Sequence, residues 1–500
     1  MQNDKCKMTL CHFAFVIHHP SMLIYNTLTR TKENFKPITE GRIRMYVCGP
    51  TVYDYSHIGH GKTYVAFDTI VRYLRWRGNN VRYVQNVTDV GHLLDTGEDR
   101  ILKGAARERV EPMEIVEKYA RAYFEDMDAL GVQRPDISPR ASAHVPEQIE
   151  MIQTLIKNEH AYESNGSVYF DVTSHKDYGK LSGRKIEELE EGTREDVREE
   201  KRHPLDFALW KKAAPEHILH WNSPWGVGFP GWHIECSAMS SKYLGETFDI
   251  HGGGIDNIFP HNECEIAQSE AANGKPFANY WLLTGSLTID GVKMSKSLGN
   301  FVTIKDVLKK YRPQAIRFFI LSGHYRSPVD FSDGALEAAS KGWERLTAPA
   351  LAVKQKLNSP LNAGEADSGI VKAIHDARTN FISAMDDDFN TATALATLFD
   401  FNKVINTLLN SGETITRGTL EAIEVFYNET GAGVLGVIAD QVSSSVNAER
   451  EAGLIQLLIE QRAAARARKD FAASDSIRNH LAELGITLED GKEGTTWKVQ

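Results

Sequence analysis

Two histidines and a glycine stand close together in the stretch SHIGHGKT. His57 and His60 are three residues apart, Gly59 lies between them, and the apolar residues that follow have helical spacing. We therefore expect both imidazoles at the start of a helix, where backbone N–H groups attract phosphate. Imidazole N–H groups there could stabilise charge that develops on a phosphate in a transition state. The alternative is a pair of surface histidines.

A basic loop is predicted at KMSKS, residues 293–297. Lys293 and Lys296 provide point charges suited to a pyrophosphate leaving group, and Gly291 and Gly299 bracket the loop. On its own, such a loop is more often only solvated surface. Its combination with the H-x-G-H stretch upstream favours a site for nucleotide chemistry.

A glycine run follows a predicted strand in HGGGID, residues 251–256. Gly253 and its neighbours would let a backbone approach a ring or a ribose, and Asp256 could accept hydrogen bonds from hydroxyl or amino groups. A glycine turn after a strand also has purely steric explanations. This stretch alone is therefore a weak signal.

A metal site is the second kind of chemistry that the residue types allow. His261 and Glu265 are spaced i and i+4, so a helix would place both on one face. Cys48 and Cys236 could complete a tetrahedral set of two sulfurs, one nitrogen and one oxygen. Cys264, beside Glu265, is a rival ligand. The alternative is that these cysteines are buried structural residues.

Hydrophobic spacing predicts the elements that must position these residues. Residues 42–48 and 79–91 are predicted strands, and residues 60–78 between them are a predicted helix that stops at a glycine. A strand, a helix and a second strand in this order form a right-handed crossover. Its functional site is expected at the carboxyl ends of the strands.

The rest of the chain divides into an insertion and a helical part. Residues 105–160 are charged and helical in pattern and begin a predicted insertion, after which the strand pattern returns at 246–260. From residue 304 onward the pattern is almost entirely helical. A loop is predicted at 359–369 and a linker at 440–450, so the last residues form a separate unit with a helical pair.

Composition excludes several classes of protein. With 500 residues the chain is too long for one compact core, and its net charge of −10 argues against a general nucleic-acid coat, though not against a local basic surface. Five well-separated cysteines argue against a secreted disulfide framework and favour the cytoplasm. No apolar run approaches the ~20 residues of a membrane span. Residues 1–21 lack the apolar core of a signal peptide and are predicted to be a loose extension.

The motifs together resemble one family, the class I cysteinyl-tRNA synthetases. The resemblance runs from about Met22 to Trp497, in the family's order and spacing. The stretches that carry it are CGPTVYDYSHIGH, PGWHIECSAMS, HGGGID, FPHNECEIAQS, DGVKMSKSLGNF, DDDFNTATALATLFD and GITLEDGKEGTTWK.

The resemblance implies an α/β fold: a Rossmann-type class I catalytic domain with an inserted connective domain, then a helical bundle and a small C-terminal anticodon-binding domain. The implied boundaries are 22–130 and 226–303 for the two halves of the catalytic domain, 131–225 for the insertion, 304–358 for a stem-contact region, 359–440 for the bundle and 441–500 for the anticodon-binding domain.

The resemblance also implies roles for particular residues. One zinc ion per chain would be held by Cys48, Cys236, His261 and Glu265, and its role would be structural and in recognition of the substrate. The cysteine pocket would include Thr88, Trp232 and His251. Catalytic and ATP-binding roles fall on His57, Gly59, His60, Gly253, Asp256, Lys293 and Lys296, and weaker tRNA contacts on Arg462, Arg466, Arg468 and Lys469.

The implied reaction is the charging of tRNA(Cys) with L-cysteine by a monomeric enzyme. ATP, accompanied by Mg²⁺, would form cysteinyl-adenylate and pyrophosphate, and cysteine would then pass to the terminal adenosine of the tRNA. A zinc–sulfur bond would separate cysteine from serine better than hydrogen bonds alone.

Several positions depart from the family's pattern, and two other functions stay open. The departures are Gly61-Lys62, Phe229, Asn262, Cys264, Leu283-Thr284 and Phe471. They leave the choice between Cys264 and Glu265 as zinc ligand undecided. One alternative function is a ligase that passes activated cysteine to a small amine. The other is a zinc-containing tRNA-binding paralogue without catalysis.

Overall fold

The structure is a computed structural model that describes residues 22–91, 99–186, 200–215, 217–294, 300–438, 444–491 and 494–499. The chain divides into two compact units, one ending at Ile438 and the other beginning at Ala439. The extension predicted over residues 1–21 lies outside the described residues. Among the described residues, no helix is both long and apolar enough to cross a membrane.

The first elements confirm the predicted strand, helix and strand. They are β1 (Leu23–Asn26), β2 (Thr31–Asn34), β3 (Arg42–Val47), α1 (Ile58–Trp76) and β4 (Asn80–Gln85). Strands β1 and β2 form an antiparallel hairpin, whereas β3 and β4 are parallel, and α1 connects them. Helix α1 ends just before Gly78, whose φ of +88° is a conformation that glycine adopts without strain.

The insertion is built around an antiparallel sheet. Three helices come before this sheet in the chain, namely α2 (Arg100–Glu108), α3 (Pro112–Ala129) and α4 (Val145–Lys157). The strands are β5 (Ala161–Ser164), β6 (Ser167–Phe170), β7 (Phe207–Lys212), β8 (Trp221–Ser223) and β9 (Gly226–Pro230), in the order β5-β6-β7-β9-β8. This sheet continues past the predicted boundary at residue 225. The other predicted boundary is at residue 131. Just after it, Ile137 forms a parallel bridge with Val84, and Arg140 forms one with Val87, so this segment lies alongside β4.

The central sheet is completed by elements that follow the insertion. They are α5 (Trp232–Leu244), β10 (Phe248–Gly254), α6 (Glu263–Asn273) and β11 (Ala278–Thr284). The four strands are all parallel, in the order β11-β10-β3-β4, and hydrophobic cores cover both faces. The carboxyl ends of β3 and β10 meet where the Cys48 N–H donates to the Gly252 carbonyl at 3.0 Å.

A small sheet and a helical bundle complete the first unit. The next elements are β12 (Leu287–Ile289), β13 (Val292–Lys293), α7 (Ile304–Lys310), α8 (Pro313–Leu321) and β14 (Val329–Phe331). The bundle helices are α9 (Asp333–Leu357), α10 (Ser368–Asp386), α11 (Thr391–Asn410) and α12 (Arg417–Tyr427). They share one hydrophobic core with α1, which joins the bundle to the catalytic sheet.

The turn between α10 and α11 binds the bundle to distant parts of the first unit. Asp388, fully buried, has a φ of +60°, a region that few residues other than glycine adopt. Its carboxylate accepts from the Tyr25 N–H and the Tyr325 hydroxyl, both at 2.9 Å, and from the Arg326 guanidinium at 2.7 Å. Neighbouring Asp386 accepts from the Tyr73 hydroxyl on α1 at 2.6 Å.

The second unit consists of two helices and a hairpin around a small core. The elements are α13 (Ser444–Ala467), α14 (Phe471–Glu483), β15 (Ile486–Gly491) and β16 (Gly494–Val499). The helical pair predicted here is confirmed, but α13 begins at Ser444 and so occupies most of the predicted linker. The core is formed by Ile455, Ile459, Leu481, Ile486 and Leu488.

Candidate active site and metal centre

A cleft of about 630 Å³ opens at the carboxyl ends of the parallel strands. His57, Gly59 and His60 line it on one side, and Cys48, Cys236 and His261 line it on another. The strand, helix and strand therefore place the two predicted chemistries in one cavity, at the end of the sheet that the topology predicts.

The two histidines form a reciprocal cap at the start of α1. The His57 N–H donates to Nδ1 of His60 at 3.2 Å, and the His60 N–H donates to Nδ1 of His57 at 3.3 Å. The rings stack with their centroids 3.8 Å apart. Because Nδ1 is an acceptor in both rings, a single ring proton lies on Nε2. A Cβ at position 59 would lie 2.8 Å from Nδ1 of His57, which explains the glycine.

The titration of His60 predicts a pH dependence of stability. Burial, reinforced by neighbouring His57, holds the pKa of His60 well below the ordinary value of 6.5. Below pH 6.5 the unfolded chain binds a proton here that the folded chain rejects, so the stability of the fold rises with pH and falls on acidification. Replacing His60 with glutamine should weaken this slope by about 1 kcal/mol per pH unit at most. Urea unfolding of both proteins between pH 5 and 7.5 measures it, and identical slopes would contradict the prediction.

The segments that flank the basic loop lie against the H-x-G-H stretch. The Ile58 N–H donates to the Val302 carbonyl at 3.1 Å, and the Phe301 ring lies 5.5 Å from the His57 ring. Met294 lines the cleft, and its Cε would lie 3.6 Å from a Cβ at Gly59. Lys293 ends β13, while Lys296 lies outside the described residues. Two motifs far apart in the sequence are thus neighbours in space.

Lys62, one of the departures from the family's pattern, is buried beneath the same cleft. Its ammonium donates to the carbonyls of Gly285, Tyr325 and Ser327 at 2.5, 3.4 and 2.9 Å. Three acceptors satisfy the three donors of a lysine, although burial lowers its pKa to about 8. Since Gly285 lines the cleft and precedes β12, Lys62 holds the base of the hairpin that leads to the basic loop.

Replacing Lys62 with methionine should therefore affect stability and catalysis together. Three buried carbonyls would lose their donor, which we expect to cost about 2–4 kcal/mol of unfolding free energy. Displacement of the hairpin should raise the KM for ATP at least about tenfold in pyrophosphate exchange. Lys62→Arg, which keeps the charge and the donors, is the matched control and should recover most of both. A methionine variant with lower stability but an unchanged KM would limit Lys62 to a structural role.

Four potential metal ligands converge at the floor of the cleft. The ligand atoms of Cys48, Cys236, His261 and Glu265 all lie within 4.8 Å of one another, and all four residues are buried. Nε2 of His261 lies 2.9 Å from Oε1 of Glu265, which in turn lies 3.4 Å from Sγ of Cys48. Two sulfurs, one nitrogen and one oxygen are the donor set that suits Zn²⁺.

Neighbouring side chains orient these ligands. Nδ1 of His261 lies 3.0 Å from Nδ1 of His233, so its Nε2 is left to face the cluster. Nε2 of His251 lies 2.6 Å from Oε2 of Glu265, and the amide of Asn262 donates to Oε1 at 3.1 Å. Such surrounding hydrogen bonds are typical of real metal sites, where they fix the tautomer and direction of each ligand.

The electrostatics of the cluster also suit a cation. Burial opposes the charge on Glu265, but His251 and His261 hold its pKa well below the ordinary value. Burial likewise opposes a charge on His261, yet the Glu265 carboxylate raises its pKa to about 10. The residues present fit a zinc ion.

Three segments of the chain match known protein families. Residues 34–341 match the class I (C) tRNA synthetase catalytic domain, 380–439 match the DALR domain, and 454–497 match the cysteinyl-tRNA ligase anticodon binding domain. A cysteine–tRNA ligase of Deinococcus radiodurans is 51% identical over 489 residues, covering 96% of this chain and 97% of that protein. The chain belongs to the cysteinyl-tRNA synthetase family. A relative from Chlorobium chlorochromatii is 49% identical over 488 residues and covers 96% of this chain and 100% of the relative.

Solved structures of other class I synthetases confirm the predicted fold class. Methionyl-tRNA synthetase of Mycobacterium tuberculosis, in complex with methionyl-adenylate, matches with a TM-score of 0.60 at 15% identity, over 80% of this chain and 92% of that chain. A putative arginyl-tRNA synthetase of Campylobacter jejuni matches with a TM-score of 0.53 at 14% identity, over 81% and 94%. Identities this low support the shared fold alone.

The rival ligand, Cys264, points away from the cluster. Cys264 is fully buried in the hydrophobic core of the insertion, and its Sγ lies 3.6 Å from the Tyr178 hydroxyl. The geometry therefore favours Glu265 over Cys264.

Some of the other residues predicted to bind cysteine or ATP line the cleft, and others lie behind its surface. Thr88, Trp232 and Asp256 line the cleft. His251, by contrast, is fully buried behind Glu265 and stacks on Trp281 at 4.1 Å. Within the glycine run, Gly254 lines the cleft, whereas Gly253 does not.

Two polar residues of the cleft were missed from the sequence. Glu235 accepts a hydrogen bond from the Thr88 hydroxyl, and burial raises the pKa of its carboxyl well above the ordinary value. His233 contacts His261, as described above. Their position in the WHIECS stretch, beside Trp232 and Cys236, was the only signal, because neither has a spacing that suggests a role.

The basic residues predicted to contact tRNA do not form one surface. Arg466, Arg468 and Lys469 are exposed, whereas Arg462 is only 3% exposed and faces the interior of the second unit. Helical rotation places position 462 on the apolar stripe of α13, beside Ile459 and Ala465. The exposed basic surface therefore excludes Arg462.

Proposed function

We propose that this chain charges tRNA(Cys) with L-cysteine in two steps, with ATP as the energy source. The observation that carries the proposal is the four-ligand cluster open to the same cleft as the histidine cap of α1. The cleft thus has one wall suited to a thiol and another suited to phosphate. The family membership and the anticodon-binding match at 454–497 support tRNA(Cys) as the acceptor.

Selection of cysteine would take place at the cluster. The metal would be held by Cys48, Cys236, His261 and Glu265. His233 would orient His261, and His251 would orient Glu265. When bound, Zn²⁺ would supply a soft Lewis acid that prefers a thiolate to a hydroxyl, which separates cysteine from serine. Thr88 and Trp232 would enclose the small substrate beside the cluster.

Activation of the carboxylate would depend on the start of α1. Attack of the cysteine carboxylate on the α-phosphate of ATP yields cysteinyl-adenylate and pyrophosphate. The Nε2–H groups of His57 and His60, aided by the backbone of the first helical turn, would stabilise the charge on the phosphate as the leaving group departs. Asp256 and Gly59 line the cleft and would contact ATP, which binds with Mg²⁺.

Release of pyrophosphate would depend on the basic loop. Lys293 and Lys296 carry charges of the right sign for the leaving group. The contacts between the flanking segments and α1 support this role, since they keep the loop's base beside His57.

Transfer of cysteine to the tRNA would involve the remaining parts of the chain. The catalytic halves at 22–130 and 226–303, with the insertion at 131–225, would act on the acceptor end. Residues 304–358 would contact the stem, although their last helix, α9, packs in the core of the bundle. Residues 359–440 would complete the bundle and 441–500 would read the anticodon, with the exposed Arg466, Arg468 and Lys469 as candidate contacts. We further propose that the enzyme acts as a monomer in the cytoplasm.

The decisive experiment measures transfer of labelled cysteine, with ATP and Mg²⁺, to total tRNA, with serine as the paired substrate. Charging with cysteine alone is expected. Intact pyrophosphate exchange without charging would instead indicate another acceptor, such as a small amine. Absence of nucleotide binding would favour a non-catalytic tRNA-binding protein.

A further inference from the structure

A group of aromatic and basic side chains borders the mouth of the cleft. We name it the aromatic rim, and it consists of Tyr53, Tyr55, Arg100, Lys118, Tyr119 and Lys305. Tyr53, Tyr55 and Arg100 line the cleft itself. The members come from the loop before α1, from α2, α3 and α7, so the rim is assembled by the tertiary fold and has no sequence motif.

Tyr55 is the exposed centre of the rim. Its side chain is 36% exposed, a large value for an aromatic ring beside a cavity. The Tyr119 ring packs edge-on against it with centroids 5.0 Å apart, which holds the Tyr55 ring in place. The ammonium groups of Lys118 and Lys305 lie 5.9 and 6.0 Å from its centroid, one from α3 and one from α7.

Arg100 provides a second planar group on the rim. Its Nη1 donates to the Tyr53 hydroxyl at 2.8 Å, and its guanidinium lies 5.3 Å from the Tyr53 ring centroid. Within the part of the chain that the structure describes, Arg100 forms no ion pair with an acidic side chain. A guanidinium held in this way suits a phosphate.

The other cations of the rim are paired with acidic side chains, one of which, Asp126, is itself buried. Lys118 contacts Glu108, and Lys305 lies 3.3 Å from Glu125 and 3.2 Å from Asp126. Both lysine side chains remain more than a third exposed, at 46% and 37%. The pairs with Glu108 and Glu125 have partly exposed partners and are weak, so a phosphate could share these two exposed ammonium groups.

We propose that the aromatic rim binds the unpaired 3′-terminal nucleotides of the tRNA. A base would stack on Tyr55, and phosphates would contact Arg100, Lys118 and Lys305. Stacking on aromatic rings combined with nearby positive charge is how proteins hold single-stranded RNA ends. The proposal rests on the proposed function, because only a nucleic-acid acceptor has to thread an unpaired end into this cleft.

The test compares Tyr55→Ala with the matched control Tyr55→Phe, which keeps the ring. The alanine variant should raise the KM for tRNA in charging roughly tenfold, and the phenylalanine variant should stay near wild type. Pyrophosphate exchange with cysteine and ATP, which needs no tRNA, should be unchanged in both. Because Tyr55 is exposed, the alanine variant should fold normally, and its melting temperature verifies this.

A binding measurement isolates the 3′ end. Wild-type protein and Tyr55→Ala are compared with intact tRNA and with tRNA whose unpaired 3′ nucleotides have been removed. The substitution should weaken binding of the intact tRNA only. An equal effect on both tRNAs, no effect on either, or a parallel loss of pyrophosphate exchange would overturn the proposal. Failure of the wild type to charge any tRNA would instead reject the proposed function.

Discussion

Serine in place of Cys48 is expected to remove the bound zinc and to lower cysteine-dependent pyrophosphate exchange by more than about 100-fold. The hydroxyl oxygen is a far poorer zinc ligand than a thiolate. Loss of an outer contact to a metal ligand already costs 10- to 100-fold, so loss of the ligand itself should cost more. Elemental analysis of the purified protein and exchange kinetics measure the two effects.

Cys264→Ser is the matched control, because it makes the same chemical change three residues from His261. Cys264 lies in the core of the insertion against Tyr178, so we expect full zinc content and near-normal exchange. The melting temperature should fall somewhat, since a hydroxyl replaces an apolar sulfur in a buried site. Equal zinc loss in the two variants would overturn the assignment of Glu265 and restore Cys264 as a ligand.

Alanine in place of His60 should lower the rate of pyrophosphate exchange by about 100- to 1000-fold. The substitution removes one preorganised N–H donor from the position where charge develops on the phosphate, and such losses have this size. It also breaks the reciprocal cap with His57, so some loss of stability accompanies it. Zinc content should be unchanged, because His60 is not one of the four residues of the metal cluster.

A distant histidine serves as the control for this prediction. His220→Ala, at an exposed position of the insertion, should leave exchange at the wild-type rate. A His60→Ala variant that retains more than a tenth of the wild-type exchange rate would show that His57 and the helix start suffice for the chemistry.

The sequence was most informative where the physical signal is local. The strand, helix and strand around the H-x-G-H stretch were predictable from hydrophobic spacing and a terminal glycine, and α1 differs from the prediction by two residues at each end. The approach of the basic loop to α1 was not predictable from spacing alone. It depends on the pairing of residues 301–304 with 56–58, a long-range contact that no local pattern encodes.

The metal site shows where sequence reasoning reaches its limit. The i and i+4 spacing of His261 and Glu265 holds, although His261 precedes the regular part of α6. One position along a helix turns a side chain by about 100°, so adjacent Cys264 and Glu265 face different surroundings. Which of them faces the cluster depends on the packing of the insertion, which no local pattern encodes.

Two basic residues, Lys62 and Arg462, are buried although the sequence pattern gave no sign of it. Lys62 stood out in the sequence only as a departure from the family's pattern, yet three carbonyls surround its ammonium and accept its three N–H donors. Arg462 looked like part of a basic surface but lies inside the second unit. In each case, residues that are distant in the sequence determine whether the charged side chain is buried.

The turn at Asp388 has a consequence for how this protein can be divided. One carboxylate receives donors from Tyr25 in the first strand and from Tyr325 and Arg326 after α8. Its neighbour Asp386 accepts a hydrogen bond from α1. A chain cut at the start of the bundle would expose a hydrophobic core and leave those donors unmatched. The second unit, after Ile438, has a separate hydrophobic core. If a domain of this chain were gained, lost or exchanged as a whole in evolution, the boundary would therefore fall after Ile438.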